Sequence, residues 1–259
     1  MQKPEITDGH AEASANGLDK RSHSVDLLQD AEIEHAVSEI FAVAVPASGV
    51  EAGPLSARIY KQLEGRRYDT VVIIAAGGEE AKGRINIWSS DTYGSGSSAV
   101  EVNDRMRNEL CDEDDDIFVS DDGHFLDDGI HAQLPLLRES IGEFRVVPLV
   151  MGDETPDICR ELGSALSEVS YNESTLIVAV VDAEGGASGW FGRFDEHLAA
   201  GDVSNLFGMI MSGDMRVRGG GGLMAAMIAA GARGAIRPTL LAARPAGNES
   251  ETVGVIFAH

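Results

Sequence analysis

Three stretches decide the fold: Thr70-Val71-Val72-Ile73-Ile74-Ala75, Arg145-Val146-Val147-Pro148-Leu149-Val150-Met151 and Thr175-Leu176-Ile177-Val178-Ala179-Val180-Val181. They are apolar almost throughout, without the in-out alternation of a strand that keeps one face wet. Such strands belong to sheets covered by helices on both faces, as in parallel α/β proteins. Shorter runs of the same kind predict strands at Phe41 to Val45, Arg84 to Trp88, Ile117 to Ser120 and Val253 to Ala258. Apolar residues at helical spacing predict helices at Pro54 to Leu63, Val100 to Leu110, Gly129 to Ile141, Thr155 to Val169 and Gly222 to Ala230. A further stripe, Val25, Leu28, Ile33, Val37 and Ile40, predicts a helix ahead of the first strand. The expected architecture is a single α/β domain over residues 24 to 259, with a largely parallel or mixed central sheet flanked by helices. Residues 1 to 23 mix Gly, Ala, Ser, Asn and charge without apolar period, and are expected to form a disordered acidic tail.

The 259 residues suffice for a real core, and a hydrophobic fraction of 43% excludes wholesale disorder. No run approaches the ~20 apolar residues needed to cross a bilayer. The net charge of −23 repels phosphate backbones and anionic lipid, so neither nucleic acid nor membrane is an expected partner. Only Lys3, Lys20, Lys61 and Lys82 are lysines, and the carboxylates spread along the whole chain. That pattern suits a halophilic protein, because a Debye length of ~3 Å near molar salt screens the self-repulsion. Cys111 and Cys159 form no paired motif, and no apolar stretch follows a basic start, so a cytoplasmic location is expected.

In a sheet of this kind ligands bind beyond the carboxyl ends of the strands. The loops there read Pro46-Ala47-Ser48-Gly49, Ala76-Gly77-Gly78-Glu79 and Asp182-Ala183-Glu184-Gly185-Gly186, with Arg218-Gly219-Gly220-Gly221-Gly222 ahead of the last long helix. Candidate ligand-binding residues are therefore Ser48, Glu79, Asp182, Glu184, Arg218, Gly219 and Gly220, together with Asp127, Asp128 and His131. The four-glycine run has two readings: an anion-binding nest strengthened by Arg218, or a tight turn that lets the helix pack closely. His124, Asp127 or Asp128, and His131 would share a helix face and suit a divalent metal if the segment were continuously helical. Gly123 and Gly129 argue instead for a helix that begins near Asp127 or Asp128. The run Asp112-Glu113-Asp114-Asp115-Asp116 lacks the glycine and glutamate of a calcium loop and reads as a solvated acidic loop. There is no GxSxG elbow, neither thiol has an activating neighbour, and no catalytic residue is assigned. Trp190 and Phe191 read as a packed edge.

At Ile130-His131-Ala132-Gln133-Leu134-Pro135-Leu136-Leu137 the chain resembles the MEMO family, whose pattern runs EHSxExQLPxL. Val45-Pro46-Ala47-Ser48-Gly49 resembles its VPHAG, and Gly53-Pro54 with the helix ending at Tyr60 follows. Tyr68-Asp69-Thr70-Val71-Val72-Ile73-Ile74 is similar to FDxVVIL, and Phe144-Arg145-Val146-Val147-Pro148-Leu149-Val150-Met151-Gly152-Asp153 to FKIVPILVGD. Thr175-Leu176-Ile177-Val178-Ala179 precedes Asp182 as in SSDLSHY. The resemblance covers roughly residues 41 to 258, without the family's AGxFYP start.

It implies a fold like that of class III extradiol dioxygenases and a metal site of histidines and, in some members, a cysteine. The family's ligands do not carry over. Its histidines fall on Ala47, Gly78 and Gly185, its cysteine on Arg218 and its EHS pair on Asp127-Asp128; the SD aspartate survives as Asp182. No metal and no cofactor are therefore expected. Two readings stand: a scaffold that has lost the metal chemistry and serves as a non-catalytic binding or partner subunit, or an enzyme of unknown reaction built on Asp127, Asp128, His131, Asp182, Glu184 and Arg218. A dioxygenase-like redox protein and an oligomer-forming subunit are looser options. A protein partner is implied by the resemblance alone, since family members often accompany radical-based or AMMECR-like proteins.

Overall fold

The computed structural model describes residues 28, 39–47, 52–81, 83–96, 99–113, 116–124, 128–171, 174–235, 237–243 and 252–258. The expected N-terminal tail lies outside these residues, as does most of the helical stripe ahead of the first strand. The described elements begin with β1 (Ile40–Val45), α1 (Ala52–Lys61), β2 (Thr70–Ala76), a 3-10 turn at Glu79–Ala81, β3 (Ile85–Ile87), β4 (Thr92–Tyr93) and β5 (Val100–Glu101). They continue with α2 (Asp104–Glu113), β6 (Ile117–Val119), α3 (Asp128–Ile141), β7 (Arg145–Met151), α4 (Pro156–Val169) and β8 (Thr175–Val180). The chain then forms β9 (Asp182–Gly186), α5 (Trp190–Ala200), α6 (Val203–Met211), β10 (Met215–Arg218), α7 (Gly220–Ala232), β11 (Arg237–Ala243) and β12 (Thr252–Ala258).

Eight strands make one mixed sheet in the order β11-β12-β1-β8-β2-β7-β3-β6, while β9–β10 and β4–β5 are separate two-stranded ribbons. The four central strands β1, β8, β2 and β7 run parallel, and they include the continuous apolar runs that pointed to a sheet covered on both faces. Alternate side chains go to opposite cores. Val72 and Ile74 join Leu162, Leu166, Phe194, Leu206 and Met224 on one side. Val71, Ile73 and Ala75 join Leu55, Ile59, Leu134 and Leu137 on the other, where Leu28 is also buried. The expected fold class is what the structure has: α/β, one large central sheet, helices on both faces.

Some expected boundaries move. Ile40 opens β1 rather than closing a helix, and Val100 is a strand residue paired with Tyr93, so the helix expected from Val100 starts at Asp104. Elements without any expectation are α5, α6, β4, β11 and both strands of the ribbon β9–β10. Proline in a central strand also needs an account, because it removes a ladder donor. Trp88 N–H donates to the Pro148 carbonyl at 3.3 Å, and the return bond is the one Pro148 cannot make. Arg107 supplies it, with Nη1 reaching the Trp88 carbonyl at 3.1 Å and the carbonyls of Ser89 and Ser90 at 2.7 and 3.2 Å. Among the described residues no helix is long and apolar enough to cross a membrane.

Candidate functional site

The carboxyl ends of β1, β2, β7 and β8 gather the loops expected to form the crevice. Val181 N–H donates to the Val45 carbonyl at 2.8 Å and Gly77 N–H to the Met151 carbonyl at 2.7 Å, so the strands are still tied together as they leave the sheet. Asp182 then accepts a bond from Ala47 N–H on Oδ1 at 3.0 Å, joining the ends of β8 and β1. Directly across the ribbon from Asp182 stands Arg218. Its exposed guanidinium donates through Nη2 to the Ala76 carbonyl at 3.3 Å, at the end of β2.

Gly219 and the glycines after it start α7, and the anion at this helix terminus comes from the chain itself. Glu154, just past β7, accepts from Gly219 N–H on Oε1 at 3.1 Å and from Gly221 N–H on Oε2 at 2.8 Å. A carboxylate there satisfies donors that a helix leaves unpaired and meets the positive end of its dipole. Burial lifts the Glu154 pKa above the ordinary carboxylate value; the Gly221 and Gly219 N–H groups, the Arg218 charge and Gly220 pull the other way. Close packing needs the glycines: a Cβ on Gly221 would press on the Glu154 side chain at 2.8 Å and the Cys159 Sγ at 3.1 Å. Burial, reinforced by the Glu154 charge, pushes the Cys159 thiol up to about 12, so it has no thiolate character near neutrality.

Beside these strand ends, α3 is held to β1 by Gln133 of the QLP motif. Its Oε1 accepts from Tyr60 Oη–H at 2.9 Å, and its Nε2 reaches the carbonyls of Pro46 and Gly129, both at 3.3 Å. All three of Tyr60, Gln133 and Ser56, which also bonds the Pro46 carbonyl, are buried. They set the position of the Pro46-Ala47 turn that Asp182 caps.

His124 and His131 do not share a helix face. Gly123 has φ +86° and His124 belongs to the turn that follows it, ahead of α3. The two imidazoles flank Tyr93: His131 is exposed and stacks on that ring at 4.4 Å between centroids, while His124 is buried, edge-on at 6.0 Å. His124 Nε2 bonds the Asn86 carbonyl at 3.1 Å, and Nδ1 has no partner among the described residues. Burial pushes this imidazole down to about 4. An unfolded histidine takes its proton near pH 6.5, so between the two values the unfolded chain binds a proton that the folded chain refuses. The His124 contribution is full above pH 6.5 and falls as the pH approaches 4, by roughly 3 kcal/mol. His124→Gln keeps an N–H donor for Asn86 and cannot ionise. Urea melts at pH 7 and pH 4 are expected to lose about that much less stability in the variant than in the natural chain.

Of the other candidates, Ser48 and Asp127 lie outside the described residues, and only the backbones of Glu79, Asp128 and Glu184 are described. The structure thus brings Asp182, Arg218, Gly219 and Gly220 to one end of the sheet. Glu154 and Gln133 were not among the candidates. For Glu154 the available signal was a carboxylate following VPLVMGD at a strand end, opposite a helix opened by glycines. Among the described residues, no three His, Cys, Asp or Glu side chains converge as metal ligands would.

The family model described as Memo-like protein matches residues 26–252. A MEMO1 family protein of Nitrosopumilus maritimus is 22% identical over 220 residues, covering 81% of this chain and 78% of its own. One of Caldivirga maquilingensis is 24% identical over 277 residues, covering 98% and 96%. Among solved structures, uncharacterized protein JW3007 from Escherichia coli K12 superposes with a TM-score of 0.58 at 13% identity, over 85% of this chain and all of that one. That likeness concerns the fold.

Proposed function

The chain belongs to the Memo-like family, and from that premise we propose that it is a member that has exchanged metal chemistry for binding, serving as a non-catalytic binding or partner subunit. One observation carries this reading: the donor set at the strand ends. A first-row metal needs several imidazole, thiolate or carboxylate groups converging at ~2.0–2.3 Å. At the positions where the resemblance puts the family's ligands, this chain has Ala47, Gly78, Gly185 and Arg218. Asp182 is the carboxylate left, and its Oδ1 is engaged by Ala47 N–H. A guanidinium lying over the end of β2 opposes a divalent cation there. These residues do not fit a metal ion, and function follows the site rather than the fold.

The rival reading, an enzyme of other chemistry on Asp127, Asp128, His131, Asp182, Glu184 and Arg218, has to work around the backbone bonds that Asp182 and Arg218 make. Metal analysis of protein purified without an affinity tag, combined with a screen of catechol substrates, tests the proposal. The expected result is far less than one equivalent of iron, copper or zinc and no turnover, with Asp182→Ala lowering the melting temperature. Stoichiometric iron or copper that disappears in Asp182→Ala, accompanied by turnover in the natural chain, overturns it.

A further inference from the structure

The large sheet ends at β6, which pairs in parallel with β3 and with no other strand among the described residues. Two bonds set the phase of that ladder. Ile85 N–H donates to the Asp116 carbonyl at 3.0 Å, and Ser120 N–H to the Ile87 carbonyl at 2.9 Å. Alternate residues of a strand face its neighbour, so Asp116, Phe118 and Ser120 turn toward β3. The N–H and C=O groups of Ile117 and Val119 turn away from the sheet, and among the described residues no backbone group pairs with them. Phe118 and Val119 are 39% and 47% exposed, unusual for large apolar side chains in this protein.

Charge says what can approach this edge. Asp112-Glu113-Asp114-Asp115-Asp116 precede it and Asp121-Asp122 follow, seven carboxylates within eleven residues and no lysine or arginine among them. A second copy pairing edge to edge would set these runs against each other, the usual protection of a sheet edge. A cationic strand meets the opposite situation. The structure holds a small intramolecular instance, since the Arg84 guanidinium lies 4.9 Å from the centroid of the Phe118 ring.

We propose that β6 is the docking edge for an extended cationic segment of a partner protein. The segment adds as a ninth strand through the backbone of Ile117 and Val119, with its apolar side chains on the face that carries Val119 and its lysines or arginines on the opposite face, beside Phe118 and the flanking carboxylates. This names the partner surface of the binding role above and rests on that reading.

The test uses the full chain and three short labelled peptides, read by fluorescence anisotropy across the salt range in which the protein stays folded. One peptide alternates lysine with valine, a second replaces lysine by glutamate, and a third carries proline in place of the central valine. Val119→Pro removes an outward N–H without touching a bond to β3, because the Val119 amide makes none. The expected result is binding of the lysine peptide that weakens with salt, falls at least tenfold with Val119→Pro, and falls similarly for the proline peptide on the natural chain. The proline peptide keeps the test decisive if Val119→Pro does not fold. Equal affinity for the proline or the glutamate peptide, no binding at any salt, or concentration-dependent dimers abolished by Val119→Pro would each overturn the proposal. Failure here leaves the metal and turnover result unchanged, so the two readings fall separately.

Discussion

Gly219→Ala is expected to destabilise the protein by at least about 4 kcal/mol, a large share of the ~5–15 kcal/mol that holds a typical domain folded. Two penalties combine. Gly219 has φ +81°, a backbone region that costs an L residue ~1–2 kcal/mol. A Cβ there would also overlap the Val180 carbonyl oxygen, which is backbone of a central strand and cannot turn aside. Gly189 separates the two effects. It too precedes a helix, at φ +75°, yet a Cβ on it meets nothing within 4 Å. Gly189→Ala should therefore cost only the ~1–2 kcal/mol of backbone strain. Urea melts of both variants check this, and equal losses would mean that close approach at Gly219 contributes nothing.

Glu154→Ala is expected to cost roughly 1–3 kcal/mol, the range for losing a helix cap and leaving confined donors unpaired. The Gly219 and Gly221 N–H groups would lose their acceptor in a confined place, and the positive end of α7 its counter-charge. Glu154→Gln retains a carbonyl oxygen and should lose about half as much. Thermal or urea unfolding measures both. Hydrogen exchange at Gly219 to Gly222 should speed up in the alanine variant while the sheet amides stay protected. If the alanine variant melts like the natural chain, the carboxylate is not holding this helix terminus.

How far the candidate site could be read in advance follows from where each signal resides. Continuous apolar runs such as Thr70 to Ala76 carry their own evidence, because burial on both faces leaves its mark on consecutive residues. The loops after those strands were legible for the same reason. Ribbon β9–β10 was not: its Asp182–Gly186 strand is glycine-rich and half open to solvent, and becomes a strand only because Met215–Arg218 lies beside it. The spacing of Val100 agrees with the helical turns that follow it. Pairing with Tyr93 overrides that spacing.

By itself the sequence determined the α/β class and where the loops at the ends of the apolar strands fall. Composition and periodicity are properties of neighbouring residues, so they need no partner to be seen. Only the tertiary structure decided that the glycine run at Gly219 is filled by Glu154, 65 residues earlier in the chain, and that Asp182 caps Ala47, 135 residues earlier. It also decided that Ile117 and Val119 present their amides outward. These depend on which groups folding brings within bonding distance and on the phase of a ladder, and neither is written in local pattern.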